Sequence, residues 1–342
     1  PGAAPGKERL ELDLASCLMH QGKLADSKAV LKDLAKESGD TIEGARAFMS
    51  LADLAKLSGS SSETETYELK AQEILKKQKD AGRRLYCIAL SRYANDLITK
   101  KQYDKCVSLL KSAMYERPAS AWNNFDADAA VFLTGEIARV LSCTKDYDAA
   151  IAVCKQTSAD VSARDFHKYN EGFGPADAEI LTDIQASLKV LSGHAAEGKQ
   201  MLSDSLAVDG ERLGRIATLA RILIYEKNTK DAMDLLAKYK KMAYRRDTTK
   251  AEFLALNALC LSQEGRGDEA LKYCDLALDS LGGDSDDSLR SYCLAAKAHV
   301  LRDMKKDDAA AVIEKAIAVP DNEAAKDFDF LVPTYQRRGL VS

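Results

Sequence analysis

Leu254-Ala255-Leu256-Asn257-Ala258-Leu259-Cys260-Leu261 is followed by a turn at Gly265-Arg266-Gly267 and then by Asp268-Glu269-Ala270-Leu271, running on to Cys274 and Ala277. Apolar residues recur at intervals of three and four on both sides of the glycines, which marks two amphipathic helices folded back on a short turn. The whole chain has a composition to match: 52 Ala and 42 Leu stand against 13 Val and 13 Ile among 342 residues, with only 6 Pro. Ala and Leu lead the helix propensities, whereas β-branched residues are stiff at χ1 and favour strands, so an all-α fold is expected. A hydrophobic content of 46% with 30% charged residues excludes a mainly disordered chain. A chain of this length buries about 75% of its unfolded surface without help from disulfides or metals.

The same pattern returns at Tyr93-Ala94, Leu97, Tyr103, Cys106, Leu110, Ala113 and Pro118, and at Ile137-Ala138, Leu141, Tyr147, Ala150 and Cys154. Eight such segments can be aligned on their turns. They resemble the tetratricopeptide repeat family, whose 34-residue unit places small residues where its two helices come closest. In that family's repeat positions, position 8 reads Ala15, Ala52, Ala94, Ala138, Ala186, Ala220, Ala258 and Ala298, and position 20 reads Ser27, Ala71, Cys106, Ala150, Gly198, Ala232, Ala270 and Ala309. A larger side chain at either place would force the helices apart. The resemblance implies a right-handed α–α superhelix, a solenoid of about eight helical hairpins.

The chain departs from the family pattern in three ways. The period is stretched beyond 34 residues, the large aromatic at position 4 is never Trp, and an insertion is expected in the second repeat around Ser60–Thr64. Two glycines and a proline in Asn170–Asp177 interrupt any helix, with Pro175 suited to a helix start. The expected division is therefore a linker at 1–6, repeats one to four at 7–165, an interrupting loop at 166–178, repeats five to eight at 179–319, and a tail or cap at 320–342. Phe328-Asp329-Phe330-Leu331-Val332-Pro333-Thr334-Tyr335 is aromatic where other connections are polar. It reads as a cover for the apolar end of the last hairpin, or else as a peptide-like segment that docks on another copy or in the groove.

A net charge of −4 lacks the basic excess of a nucleic-acid binder. The apolar runs fall far short of the ~20 residues that span a bilayer, so no transmembrane segment is expected. Eight cysteines form no Cys-x-x-Cys motif and mostly lie in apolar helical runs, which suggests buried reduced thiols. They favour a cytoplasmic location, while a chain opening on Pro1 leaves a periplasmic or secreted one open. Four scattered histidines make no metal motif, Asp284–Asp287 lacks the ligand ladder of a calcium loop, and Asp165-Phe166-His167 has no nucleophile beside it. Catalytic residues, metals and cofactors are all expected to be absent.

What remains is the inner face of the first helices. Positions 2, 5, 9 and 12 lie on one helical face, and the residues there suited to recognition are Asn95, Phe132, Arg139, Asp183 and Arg221, with Tyr225 alongside. The family members that grip a chaperone's C-terminal carboxylate are a poor match: of the corresponding Ser91, Asn95, Glu136, Ile180 and Ile184 only Asn95 agrees, and Glu136 would repel the ligand. The basic run Lys238–Arg246 reads as a solvated helix end, with contact to an acidic partner or a membrane surface as the alternative. The expected function is a non-catalytic scaffold that binds a protein or extended peptide in its concave groove. The alternative is a ligand-sensing module whose superhelix binds a small molecule or peptide effector, and self-association through the C-terminal tail is a further expectation.

Overall fold

The computed structural model describes residues 6–163, 175–209, 212–281, 287–317 and 323–333. The expectations placed on residues 1–5, on Asp165–His167, on Asn170–Gly174, on Asp284–Asp286, on 318–322 and on Thr334–Ser342 lie outside them. Among the described residues there are seventeen α-helices and one short 3₁₀ turn, with no β-strand. Sixteen of the helices follow one another in pairs: Lys7–His20 (α1) and Leu24–Ser38 (α2), Ile42–Leu57 (α3) and Ser61–Lys77 (α4), Lys79–Thr99 (α5) and Tyr103–Met114 (α6), Asn124–Cys143 (α7) and Tyr147–Ser162 (α8), Pro175–Leu191 (α9) and Ala195–Asp209 (α10), Leu213–Tyr225 (α11) and Thr229–Ala243 (α12), Asp247–Gln263 (α13) and Gly267–Asp279 (α14), Asp287–Asp303 (α15) and Asp307–Ile317 (α16). Glu323–Leu331 (α17) stands alone.

The link inside every pair is three residues long, and its central residue is left-handed. Four of these are glycines, Gly22, Gly59, Gly193 and Gly265, with φ from 72° to 87°; the other four are lysines, Lys101, Lys145, Lys227 and Lys305, with φ from 56° to 62°. In seven of the eight links the following N–H reaches back five residues, as from Asp146 to the Leu141 carbonyl at 3.0 Å and from Arg266 to the Leu261 carbonyl at 2.9 Å. That bond satisfies a carbonyl the helix end would leave open, which is the Schellman termination. Glycine adopts this backbone without a Cβ penalty. Lysine at the same place is held in it by the two helices on either side.

With the links equal in length, the close-contact positions are also regular, and each lies twelve residues after its partner. Two expected positions are corrected. The second pair has an ordinary link at Ser58–Ser60 and no insertion, so its position 20 is the buried Thr64 and not Ala71. In the last pair Ala310 is fully buried whereas Ala309 is exposed. The tightness of the contact is clearest at Gly198, where a Cβ would come within 2.5 Å of the Ala186 carbonyl oxygen. At the first pair the contact is a bond, Ser27 Oγ donating to the Ala15 carbonyl at 2.9 Å.

Contact density divides the chain into two compact units, Pro1–Leu97 and Ile98–Ser342. In the first, α1 to α4 stack in order around Leu31, Leu34, Leu51 and Leu54. Arg92 of α5 ties back to the Asp53 carboxylate and to the Met49 carbonyl of α3. In the second unit the first helices of successive pairs lie side by side, α7 on α9, α9 on α11, α11 on α13 and α13 on α15. Trp122 is buried in the connection before α7, stacked on Tyr115 with ring centroids 5.8 Å apart and donating from Nε1 to the Arg117 carbonyl. None of the eight cysteines forms a disulfide; six are buried, Cys143 is half-buried and Cys17 is exposed. Burial pushes the Cys154 thiol up to about 12, so it is a packing group and not a nucleophile.

Candidate partner-binding groove

The inner layer of the second unit holds α17. This helix packs against α7, α9 and α11 together, so of the two expected places for the aromatic run, cover of the last hairpin or groove, residues 323–331 lie along the inner face. Its Phe328 and Leu331, three residues apart on one helical face, are fully buried, as is Val332 just beyond its end. Two flanking residues reach the scaffold from either side of that ridge. Asp329 accepts from Arg139 Nε of α7 at 2.8 Å. The Phe330 ring lies 6.5 Å from the Tyr225 ring of α11, tilted by 33°. Burial first, and then the Asp327 carboxylate, raise the Tyr225 hydroxyl above its ordinary pKa; the same two causes act on Tyr147 at the start of α8.

Asp183 and Arg221 find their opposite charges within the scaffold itself. Asp183 of α9 is buried and accepts from Arg215 Nε of α11 at 3.1 Å and from Thr218 Oγ1 at 3.5 Å. Burial pushes its pKa up to about 6, against the pull of Arg215. Arg215 also faces Glu179 at 3.4 Å and donates to Ser205. Arg221 is 0% exposed and forms an ion pair with Glu252 of α13. It donates to the Tyr292 hydroxyl of α15 at 3.4 Å, and its guanidinium carbon lies 5.5 Å from the centre of that ring. A buried cation needs such enclosure by opposite charge and acceptors.

The six residues expected to meet a partner are thus sorted by their neighbours. Arg139 and Tyr225 touch α17 directly, and Tyr225 keeps 37% of its surface open to solvent. Phe132, Asp183 and Arg221 are enclosed with α17 in place and do not offer themselves to an incoming chain, which corrects the expectation of an open inner face. Asn95 is half-buried on α5 in the first unit, where Lys56 binds its neighbour Asp96 at 2.6 Å. In that unit the buried Glu68 has Lys56 Nζ 3.6 Å away, and burial, followed by the Asp96 charge, pushes its pKa up to about 7.

Sequence reasoning missed Glu252, Tyr292 and Arg215. Glu252 occupies position 2 of the inner helix that follows the one carrying Arg221, so a search for complementary charge one repeat onward would have found it. Tyr292 reaches Arg221 across two repeats, and no local pattern signals that. In the basic run, Lys238 lies 4.7 Å from the Tyr239 ring and Lys240 lies 5.3 Å from the Tyr244 ring, so aromatic faces share these cations at the end of α12. Among the described residues no group of three or more acidic, His or Cys side chains could hold a metal ion, and no helix is long and apolar enough to cross a membrane.

Three-residue links, close contact between small residues twelve apart and side-by-side first helices make these hairpins tetratricopeptide-like. No family model matches the chain. No curated protein matches it either. Among solved structures it is similar to a tetratricopeptide repeat protein from Parabacteroides merdae at 10% identity and a TM-score of 0.42, covering 84% of this chain and 98% of that one. It is similar to the apo form of the quorum sensor NprR from B. thuringiensis at 14% identity and a TM-score of 0.43, covering 91% and 86% of the two chains. It is also similar to the human IFIT1 dimer with PPP-AAAA, at 12% identity and a TM-score of 0.40, covering 92% and 68%.

Proposed function

We propose that this chain is a non-catalytic helical-repeat scaffold and that its second unit binds a protein segment along α7, α9 and α11. The observation that supports this reading is the seat of α17: the inner layer takes a nine-residue helix, meets its acid with Arg139 and lays an aromatic ring against Tyr225. A groove that accommodates one helix in this way has the anchors that helix-in-groove recognition uses, apolar side chains in register and a charge that sets orientation.

The test is retention of a partner by the immobilised full chain from an extract of its source. A scaffold of this kind retains a protein in stoichiometric amount, and Tyr225→Ala, which changes a partly exposed ring, weakens that retention at least fivefold with little change in melting temperature. Retention unaffected by Tyr225→Ala would remove the groove as the binding surface. Native mass spectrometry that finds a small molecule held in place of a protein would establish the sensing alternative.

A further inference from the structure

Resting on that reading, we infer that α17 is a displaceable occupant of its own groove, and that the partner is a protein presenting an amphipathic helix with the same aromatic–acid–aromatic–aliphatic run as Phe328-Asp329-Phe330-Leu331. Several observations carry this. Nine residues are too few for a helix to be stable alone in water, so α17 depends on the groove for its form. Its hold on the inner helices includes a buried apolar face, a carboxylate on Arg139 and a ring against Tyr225. The carboxylate is placed at the margin, with the Asp329 side chain 22% exposed while its Arg139 partner is 5% exposed. Competition can therefore begin at a solvent-accessible edge.

The chemistry of the seat defines what replaces α17. Arg139 is buried, and the nearest scaffold carboxylate, on Glu136, stands 3.9 Å from its Nη1. The close contact at Nε is made by Asp329, so an occupant without an acid at that place would forfeit this charge-assisted bond. On the other side, the Phe330 and Tyr225 rings meet in a tilted arrangement that favours a second aromatic. Between them, the face carrying Phe328 and Leu331 demands apolar residues three apart. A basic or wholly aliphatic helix meets only the middle of these three requirements. Arg221 cannot serve as a second reader, because Glu252 and Tyr292 already occupy it within the scaffold.

The probe is a fluorescent synthetic peptide of residues 323–333, titrated into the full chain and into a full-length variant whose own helix is weakened by Phe328→Ala and Phe330→Ala. The variant is expected to bind the peptide at least tenfold more tightly than the parent, and Asp329→Asn in the peptide should lower that affinity at least tenfold. If the variant does not fold, hydrogen exchange of the parent gives the same answer: saturating peptide should speed exchange of the α17 amides at least tenfold without loosening α7 or α9. Failure of the peptide to bind the opened variant, or binding to the parent that leaves α17 protected, would overturn the inference. So would a dimer held by exchanged α17 helices in sedimentation, which would assign the groove to a second copy. In the first two cases partner retention sensitive to Tyr225→Ala would still stand, so the two proposals fail separately.

Discussion

Arg139 and Arg221 occupy the same place in their repeats, one residue after the small residue of closest approach, and each belongs to an inner helix of the second unit. Their surroundings differ. Arg221 is neutralised by Glu252 and roofed by Tyr292, both from helices of the same stack. Arg139 has Glu136 at 3.9 Å on its own helix and takes its close contact from Asp329, on a terminal helix outside the paired array. Repeat position therefore sets which way a side chain points, and the neighbour that reaches it sets which part of the chain it is tied to.

The largest effect that tests this contrast is Arg221→Ala. It leaves Glu252 buried without its cation, and breaking a buried pair in this manner costs about 3–5 kcal/mol. Thermal melting should fall accordingly, and replacing both Arg221 and Glu252 by Leu should recover much of the loss. A parent-like melting temperature for Arg221→Ala would erase the distinction between the two arginines. This also revises the use of Arg221 as a partner-reading residue: a variant there reports on folding first.

Asp329→Asn should have a smaller effect, about 1.5–3 kcal/mol on the docking of α17, since it removes a charge-assisted bond at a partly exposed site. Its signature is local: faster hydrogen exchange in 323–331 with the hairpins unchanged. Because Asp329 is reached by solvent, added salt should narrow the difference between parent and variant, whereas the deficit of Arg221→Ala should be insensitive to salt. Equal salt responses would break the comparison from the other side.

Two further pairs ask whether the scaffold beneath the arginines is equivalent. Ala138→Leu and Ala220→Leu place the same excess volume at the same helix contact, and each should cost about 1–3 kcal/mol in urea unfolding. Lys145→Gly and Lys227→Gly relieve a left-handed Cβ at the link that follows each arginine's helix, and each should stabilise by about 0.5–1 kcal/mol. Matching values within each pair would locate the difference between Arg139 and Arg221 in their partners alone.

The helical pairs were legible because their determinants are local. Ala138, Ala150, Ala186 and Gly198 announce a close approach by their size, and apolar spacings of three and four announce the buried stripe. The turn type was only half legible: Gly193 and Gly265 advertise a left-handed residue, but Lys145 and Lys227 do not, since nothing in a lysine's chemistry asks for that backbone. Thr64 and Ala310 were displaced in the sequence reading for the same reason, as the constancy of the three-residue link is visible only once the turns are built. Of the groove, the sequence by itself determined which residues share a face, Arg139 and Arg221 among them, because a helix's period depends on its own backbone. Only the tertiary structure decided that Asp329 reaches Arg139 across 190 residues while Glu252 encloses Arg221. Ion pairing depends on distance in space, and which acid arrives is settled by which helices, far apart in sequence, pack against one another.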